Sequence, residues 1–238
     1  KIEIPMGEFE SAIGDLIDEE YFGINVTIPF KVDAYRCSTK CSSQARQSRA
    51  VNTLTFQGGK ILGENTDGSG FIRDLEERLK FAVKGTSILI LGAGGGVRGI
   101  LPALMDRQPK SVTVANRSTA RASELCDEFG IQSILYDETG SENYDLIINA
   151  TPTSLQNKAP LVSPFAFDSC TLAYDLVYAA APTPFMELAK RGGAKEASDG
   201  LGMLVEQAAD SYEIWMGHRP QTASVYEAIR KMLTASAA

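Results

Sequence analysis

Two hydrophobic patterns follow one another along this chain, and the change falls near residue 66. Before that point, short apolar runs bounded by glycine and proline alternate with stretches of helical spacing, which predicts a mixture of short strands and helices. In chain order, these are a strand Lys1–Pro5, a helix Met6–Glu20, a strand Gly23–Thr27, a helix Lys31–Arg46, and a hairpin of Val51–Thr55 with Lys60–Leu62.

From about Gly68 onwards, apolar runs alternate regularly with helical patterns. Ser87–Leu91 is continuously apolar after its first residue, as is typical of a strand buried on both faces. Strands that alternate with helices predict a parallel, doubly wound sheet. The remaining strands predicted are Ser111–Ala115, Ser133–Tyr136, Leu146–Asn149 and Thr171–Leu176, and the helices are Phe71–Lys80, one through Met105, Ala120–Phe129, Pro184–Arg191, Leu201–Met216 and Val225–Leu233.

A glycine cluster follows the strand Ser87–Leu91 and opens a helix. Glycines at this position let the backbone approach a pyrophosphate, and the helix N-terminus presents free N–H groups to it. The G-x-G-x-x-G pattern fits Gly94, Gly96 and Gly99, whereas the register that begins directly after the strand uses Gly92 and Gly94. Both registers predict dinucleotide binding. The residues proposed to line the pyrophosphate are Gly92, Ala93, Gly94, Gly95 and Gly96.

The end of the next strand indicates which dinucleotide binds. An NAD-binding protein usually has Asp or Glu about 20 residues after the glycines, where it contacts the ribose hydroxyl. This chain has instead the polar and basic residues Asn116, Arg117, Ser118 and Arg121. Guanidinium groups bind a 2′-phosphate that a carboxylate would repel. The predicted cofactor is therefore NADP.

Composition excludes several other classes of protein. A net charge of −7 and a pI of about 4.9 argue against nucleic-acid binding. No apolar run approaches the roughly 20 residues that span a bilayer. The four cysteines lack the nearby partners of a zinc site, so no metal is expected, and we interpret them as the reduced thiols of a cytoplasmic protein.

Oxidation of an alcohol requires a group that moves the hydroxyl proton while hydride leaves for the nicotinamide. The single histidine, His218, lies in a polar C-terminal turn and is expected at the surface. A lysine with a carboxylate partner is the alternative. Lys31 lies where a predicted strand runs into a helix, and Asp67 lies where the first pattern gives way to the second.

At these positions the chain resembles the shikimate dehydrogenase family. The family's strand-end motif N-V-T-x-P-x-K, its A-V-N-T hairpin strand and its N-T-D-G junction are all present, and further motifs follow in the same order. The matching segments are 25–31, 50–53, 65–68, the glycine cluster, 116–121, 149–151, 174–178 with 183–185, and 199–208.

The resemblance implies reversible, NADP-dependent reduction of 3-dehydroshikimate to shikimate, a step towards chorismate in aromatic amino acid biosynthesis. It implies that Lys31 and Asp67 form the catalytic dyad. Gly200 and Met203 would lie against the nicotinamide, where a residue without Cβ permits close approach. The residues implied to bind the substrate are Asn25, Thr27, Asn52, Tyr178 and Gln207.

The resemblance also implies an α/β fold of two domains. Residues 1–66 with 208–238 would form a substrate domain with a mixed sheet, and residues 67–207 a Rossmann-like, doubly wound NADP-binding domain. The expected partner is a small-molecule substrate, with no nucleic acid and no membrane, in a monomer or homodimer.

Two departures from the family pattern are visible. The family opens with a strand that carries G-x-P-x-x-H-S-x-S-P, and this strand and its helix are not found in the chain. After Asn149-Ala150-Thr151 the chain reads Pro152-Thr153-Ser154-Leu155 in place of S-x-G-M, and we assign that loop no binding role. The alternatives are a quinate/shikimate dehydrogenase of relaxed specificity, against which Arg117 and Arg121 argue, and a non-catalytic NADP-binding relic, against which the retained Lys31 and Asp67 argue.

Overall fold

A small mixed sheet is formed by the first part of the chain. The computed structural model describes residues 1–235, except for the side chains of residues 119–121. The four strands run in the spatial order β1-β3-β4-β2, with β3 antiparallel to both neighbours and β2 parallel to β4. Their bounds are Gly23–Asn25 for β1, Lys40–Cys41 for β2, Thr53–Gln57 for β3 and Lys60–Glu64 for β4.

The predicted hairpin is confirmed, but its first strand is shifted two residues towards the turn and its second strand ends two residues later than predicted. Gly58 and Gly59 connect β3 to β4 with φ values of +57° and +70°. Two successive positive φ values are those of a type I′ turn, whose twist matches that of the strands. Three helices flank this sheet, namely α1 Phe9–Asp18, α2 Lys31–Cys37 and α3 Ser43–Ser48.

The predicted single helix from Lys31 to Arg46 is wrong beyond Cys37. The backbone turns to an extended conformation at Ser38, whose hydroxyl donates back to the Ala34 carbonyl at 2.6 Å. The chain then forms β2, and Ser42 caps α3 by accepting from the Ala45 amide at 3.2 Å. Small hydroxyl residues that bond to nearby backbone groups favour such interruptions over a continuous helix.

The predicted strand Lys1–Pro5 is also wrong. This segment has no ladder partner among residues 1–235, and it runs beside the free edge of β1 across a cavity of about 590 Å³. A strand is defined by its hydrogen-bonded neighbour, which an apolar alternation alone cannot supply.

The predicted parallel sheet is confirmed in the second part of the chain. Six strands lie in the order β10-β9-β8-β5-β6-β7, all parallel. The order reverses between β5 and β8, and this is where open α/β sheets bind ligands. The strands are β5 Ser87–Leu91, β6 Ser111–Ala115, β7 Gln132–Ile134, β8 Leu146–Asn149, β9 Leu172–Asp175 and β10 Glu196–Ser198.

Strand β5 lies at the centre of this sheet. Ile88 and Ile90 join the apolar cluster on one face, and Leu89 and Leu91 join the cluster on the other. All four side chains are fully buried, which confirms the interpretation of the continuous apolar run.

Helices cover both faces of the large sheet and connect it to the small one. Helix α4, Asp67–Arg73, continues into a π-helical turn, Asp74–Arg78. The backbone nitrogen of Gln207 in α8, Leu201–Met216, lies 2.5 Å from the position of a Cβ on Gly70 in α4, so these two helices pack backbone to backbone. The helices are α4 Asp67–Arg73, α5 Gly95–Asp106, α6 Thr119–Phe129, α7 Pro184–Arg191, α8 Leu201–Met216 and α9 Ala223–Ala235.

The two sheets thus lie within residues 23–64 and 87–198, which confirms a two-part α/β architecture. The finer division into residues 1–66 plus 208–238 and 67–207 stays a prediction. Among the helices of residues 1–235, none is long and apolar enough to cross a membrane.

Candidate active site

Lys31 and Asp67 meet between the two parts of the molecule. Lys31 opens α2 and Asp67 opens α4, and Lys31 Nζ lies 2.6 Å from Asp67 Oδ2. The lysine side chain is 20% exposed and the carboxylate 6%. The pair is therefore shielded from bulk water on the carboxylate side, while the ammonium group remains accessible from a cavity.

Asn52 holds the other oxygen of this carboxylate. Its amide nitrogen lies 3.0 Å from Asp67 Oδ1, 2.8 Å from the Thr66 hydroxyl and 3.0 Å from Gln207 Oε1. Its amide oxygen accepts from the Thr66 amide at 2.9 Å and from the Thr53 hydroxyl at 2.9 Å. An amide with contacts at both ends and 2% exposure has one fixed orientation.

The more exposed Asn25 joins the same polar network. Its amide nitrogen lies 3.1 Å from the Thr53 hydroxyl and 3.0 Å from the Ser211 hydroxyl. Ser211 is fully buried and also lies 2.8 Å from the Thr53 hydroxyl. Sequence analysis did not identify Ser211, although its position four residues after Gln207 on α8 places both on one helix face.

A cavity of about 470 Å³ brings these groups together, a volume within the usual range for small-molecule sites. All seven residues predicted to bind substrate or catalyse line it, and so do Gly200 and Met203. The full lining is Asn25, Val26, Thr27, Lys31, Asn52, Asp67, Leu176, Tyr178, Gly200, Met203, Leu204 and Gln207.

The glycine turn lies outside this cavity, at the carboxyl end of β5. Gly92 has φ +101°, and a Cβ there would lie 3.2 Å from the Thr151 methyl group. Gly94 precedes the first residue of α5, and nothing lies within 4 Å of a Cβ placed on Gly94 or Gly95. The helix N-terminus is therefore open to a pyrophosphate, as expected for a dinucleotide site.

Gly99 has a different surrounding from the turn glycines. A Cβ at this position would lie 2.9 Å from Asp67 Oδ2 and 3.2 Å from Asp67 Cβ. Gly99 lies one turn into α5, where it packs against the carboxylate instead of facing the phosphate site. The register that starts with Gly92 and Gly94 is thus the one whose glycines lie at the turn.

The predicted 2′-phosphate residues follow β6. The Asn116 amide donates to the Ser118 carbonyl at 2.9 Å, and Arg117 is exposed. Arg117 lines a second cavity of about 510 Å³ together with Tyr136. Burial raises the pKa of the Tyr136 phenol, and the nearby positive charge of Arg117 offsets part of that increase. Arg121 lies in α6, and its side chain is outside the described part of the structure.

The Asn149 and Asp175 motifs have a structural function. Asp175 Oδ1 accepts from the Asn149 amide at 3.0 Å, and Oδ2 accepts from the Ser154 and Thr183 hydroxyls at 2.6 Å and 2.7 Å. Burial raises the pKa of Asp175, and these donors lower it. The carboxylate thereby anchors the 3₁₀ turn Pro152–Gln156, to which no binding role was assigned.

His218 is exposed and stacks edge-on against Tyr212, away from the cavity. All four cysteines are free. Within residues 1–235, no three His, Cys, Asp or Glu side chains are grouped so as to hold a metal ion.

A parallel sheet of this strand order, with a glycine turn at its switch point and a lysine–carboxylate pair in the adjoining cavity, defines a dinucleotide-dependent oxidoreductase. Family models identify it further. Residues 1–54 match the shikimate dehydrogenase substrate binding domain, residues 74–161 match shikimate/quinate 5-dehydrogenase, and residues 200–230 match the shikimate 5′-dehydrogenase C-terminal domain.

Individual relatives agree with these models. A shikimate dehydrogenase (NADP(+)) from Chromobacterium violaceum is 42% identical over 232 residues, which cover 96% of this chain and 85% of the relative. The chain belongs to the shikimate dehydrogenase family.

Solved structures show the same fold. An Ael1 enzyme from Pseudomonas putida superposes with a TM-score of 0.89 at 37% identity, covering 98% of this chain and 86% of that one. Shikimate 5-dehydrogenase from Thermus thermophilus, solved in complex with NADP(H) and shikimate, superposes with a TM-score of 0.87 at 30% identity, covering 97% and 86%.

Proposed function

We propose that this protein catalyses the NADP-dependent, reversible reduction of 3-dehydroshikimate to shikimate. The observation that carries the proposal is the 2.6 Å contact between Lys31 Nζ and Asp67 Oδ2 at the wall of the 470 Å³ cavity. Relatives that are 42–44% identical over 95–96% of the chain and are named shikimate dehydrogenase (NADP(+)) support it.

The dyad accounts for the proton in this reaction. In the reductive direction, Lys31 donates a proton to the C3 oxygen of the substrate as C3 receives hydride, and in the oxidative direction it takes the proton back. Asp67 accepts a hydrogen bond from Lys31 and so holds the ammonium group in one place. Its second oxygen is held by Asn52, and the carboxylate cannot rotate away.

Neutral amides and hydroxyls account for the recognition of the ring. Asn25, Thr27, Asn52, Tyr178 and Gln207 offer donors and acceptors around the dyad. A site built to hydrogen-bond hydroxyl groups rejects an analogue that lacks them, because its buried polar groups are then left unpaired. A polyhydroxylated ring fits such a lining better than an apolar substrate would.

The cofactor residues fit NADP. Gly92–Gly96 and the N-terminus of α5 would bind the pyrophosphate, and Arg117, with Asn116, Ser118 and Arg121, would bind the 2′-phosphate. Gly200 and Met203 line the cavity on the side where the nicotinamide would lie. When bound, the cofactor would supply a hydride as NADPH or accept one as NADP⁺. The small-molecule substrate is the only partner proposed, and a monomeric or homodimeric state and a cytoplasmic location stay predictions.

A spectrophotometric assay tests this function. NADP reduction is followed with shikimate, and parallel reactions replace shikimate with quinate or NADP with NAD. We expect turnover with shikimate and NADP that exceeds turnover in both parallel reactions.

Equal rates with NAD would contradict the assignment of Arg117, and equal rates with quinate would favour the relaxed-specificity alternative. Binding of NADP without turnover of either substrate would contradict the dehydrogenase assignment itself.

A further inference from the structure

Two loops that contribute to the cavity touch each other away from the dyad. Loop 176–179 follows β9 and carries Tyr178, and loop 199–200 follows β10 and carries Gly200. The Gly200 amide donates to the Val177 carbonyl at 3.2 Å, and a Cβ on Gly200 would overlap the Leu176 carbonyl oxygen. Since the contact is this close, a shift of one loop moves the other.

The Asp199 carboxylate bridges both loops. Its Oδ2 accepts from the Ala179 amide at 3.3 Å, and its Oδ1 accepts from the Leu201 amide at 3.3 Å. The side chain is 4% exposed. Ala179 directly follows Tyr178, and Asp199 directly precedes Gly200, so the bridge joins the two chain segments at the residues next to the cavity.

Arg230, on the last helix, completes the bridge. Its Nη2 donates to Asp199 Oδ1 at 2.5 Å and its Nη1 donates to the Ala179 carbonyl at 2.9 Å. Residue 179 is therefore held at its N–H by Asp199 and at its C=O by Arg230. Asp199 raises the pKa of Arg230 above its usual value, so the guanidinium stays charged.

We propose that Asp199 and Arg230 are positioning residues for hydride transfer, which fix Tyr178 and Gly200 relative to each other and to the dyad. The inference rests on the proposed function. Neither residue lines the cavity, so their effect acts through the two loops. A displacement of about 1 Å in a reacting geometry lowers a rate by about 100-fold, so a small opening of this bridge has a measurable effect.

The test compares three variants with the parent. Arg230→Met removes both donated hydrogen bonds but keeps the apolar stem, and Arg230→Lys keeps the charge. Arg107→Met is the control for the loss of an arginine ion pair away from the cavity, because Arg107 pairs with Glu76 at 3.0 Å in a more exposed setting and neither residue lines the cavity. For the parent and each variant we measure kcat, KM for shikimate and for NADP, and the deuterium isotope effect on kcat. Binding of adenosine 2′,5′-bisphosphate is measured as well.

We expect Arg230→Met to lower kcat/KM by about 10- to 100-fold and to raise the isotope effect, because hydride transfer becomes slower than product release. Binding of the bisphosphate should stay within about twofold of the parent, since its site lies at the other end of the cofactor. Arg230→Lys should recover part of the loss, and Arg107→Met should resemble the parent.

An Arg230→Met enzyme with the parent's kcat/KM and isotope effect would overturn the proposal. So would an equal loss of turnover and of bisphosphate binding in both Arg230 variants, which would show that the pair only stabilises the fold. A parent without turnover would refute the proposed function instead, so the two failures are distinguishable.

Discussion

The regions around the small sheet and the large sheet differ in how they contribute to the candidate site. Beside the small sheet, a run of polar residues is buried, including Asn52, Thr53, Asn65, Thr66 and Asp67. In the large sheet, strand β5 is apolar after its first residue. The residues predicted to bind the cofactor include glycines and Ala93 after β5 and the exposed Arg117 and Ser118 after β6. The first region therefore builds its half of the site from fixed side chains, and the second builds its half largely from backbone at the end of a rigid sheet.

The largest effect is expected at Lys31, and it tests whether the chemistry belongs to the first region. Lys31→Met should lower kcat by about 10²- to 10⁴-fold, because general acid–base catalysis contributes about that much. The dissociation constant of NADP, measured by fluorescence titration, should change less than about twofold because the glycine turn is elsewhere. Lys40→Met, at an exposed position of β2, is the control. A kcat within tenfold of the parent would remove Lys31 from the mechanism.

The next largest effect is expected at Arg117, and it tests whether the second region recognises the cofactor. Arg117→Ala should raise KM for NADP by about 10- to 100-fold, because a hydrogen bond to a charged group contributes about 1.5–3 kcal/mol. KM for NAD, which lacks the 2′-phosphate, should not rise. Arg36→Ala is the control, since that side chain is 73% exposed and lies away from the glycine turn. Equal increases for both cofactors would show that Arg117 does not recognise the 2′-phosphate.

Tyr174 is one of the buried polar residues of the second region, as are Asn149 and Asp175. Its hydroxyl donates to Asp74 Oδ2 at 2.6 Å, and both side chains are fully buried. Tyr174→Phe should lower the free energy of unfolding by about 2 kcal/mol, because a hydrogen bond to a charged acceptor is lost. Urea unfolding at pH 8 measures this.

The same variant has a defined pH dependence. Burial raises the pKa of Tyr174 well above its usual value of 10.0. The folded protein therefore holds the phenol proton more tightly than the unfolded chain, and the resulting stability is complete below pH 10 and lost as the pH rises further. The deficit of Tyr174→Phe should shrink above pH 10, and a deficit independent of pH would contradict the assignment.

Gly99 is the place where the two regions meet, and the effect expected there is the smallest. In Gly99→Ala the new Cβ would lie 2.9 Å from Asp67 Oδ2, so the carboxylate must move and kcat should fall about tenfold. KM for NADP should be unchanged. Gly14→Ala places a methyl group in open space on α1 and is the matched control. An unchanged kcat in Gly99→Ala would show that α5 does not constrain the dyad.

The sequence predicted the helices and strands that have a clear hydrophobic pattern of their own. It missed the short strands that form only by pairing with another strand. The bounds of Ser87–Leu91 and Leu201–Met216 are as predicted, because continuous apolar runs and long helical periods are strong signals. Strands β2 and β10 have two and three residues and exist only through pairing with β4 and β9, so no periodicity marks them.

The candidate site shows the same limit. That Lys31 and Asp67 belong together was implied by a family resemblance, because residues 36 positions apart give no physical signal of contact. The positions of Ser211 beneath Asn25 and of Gly99 against Asp67 depend on how α8 and α5 pack against α4. Packing of this kind is set by tertiary structure and not by local pattern.

Helix α8 sets the spacing between the site residues that it carries as well as their identity. Met203, Gln207 and Ser211 recur every four residues, so a single face of the helix runs from the edge where the nicotinamide would lie to the floor beneath Asn25. One inserted or deleted residue between Met203 and Ser211 would rotate everything beyond it by about 100°. We therefore expect this stretch to tolerate many substitutions on its outer face and no change in length.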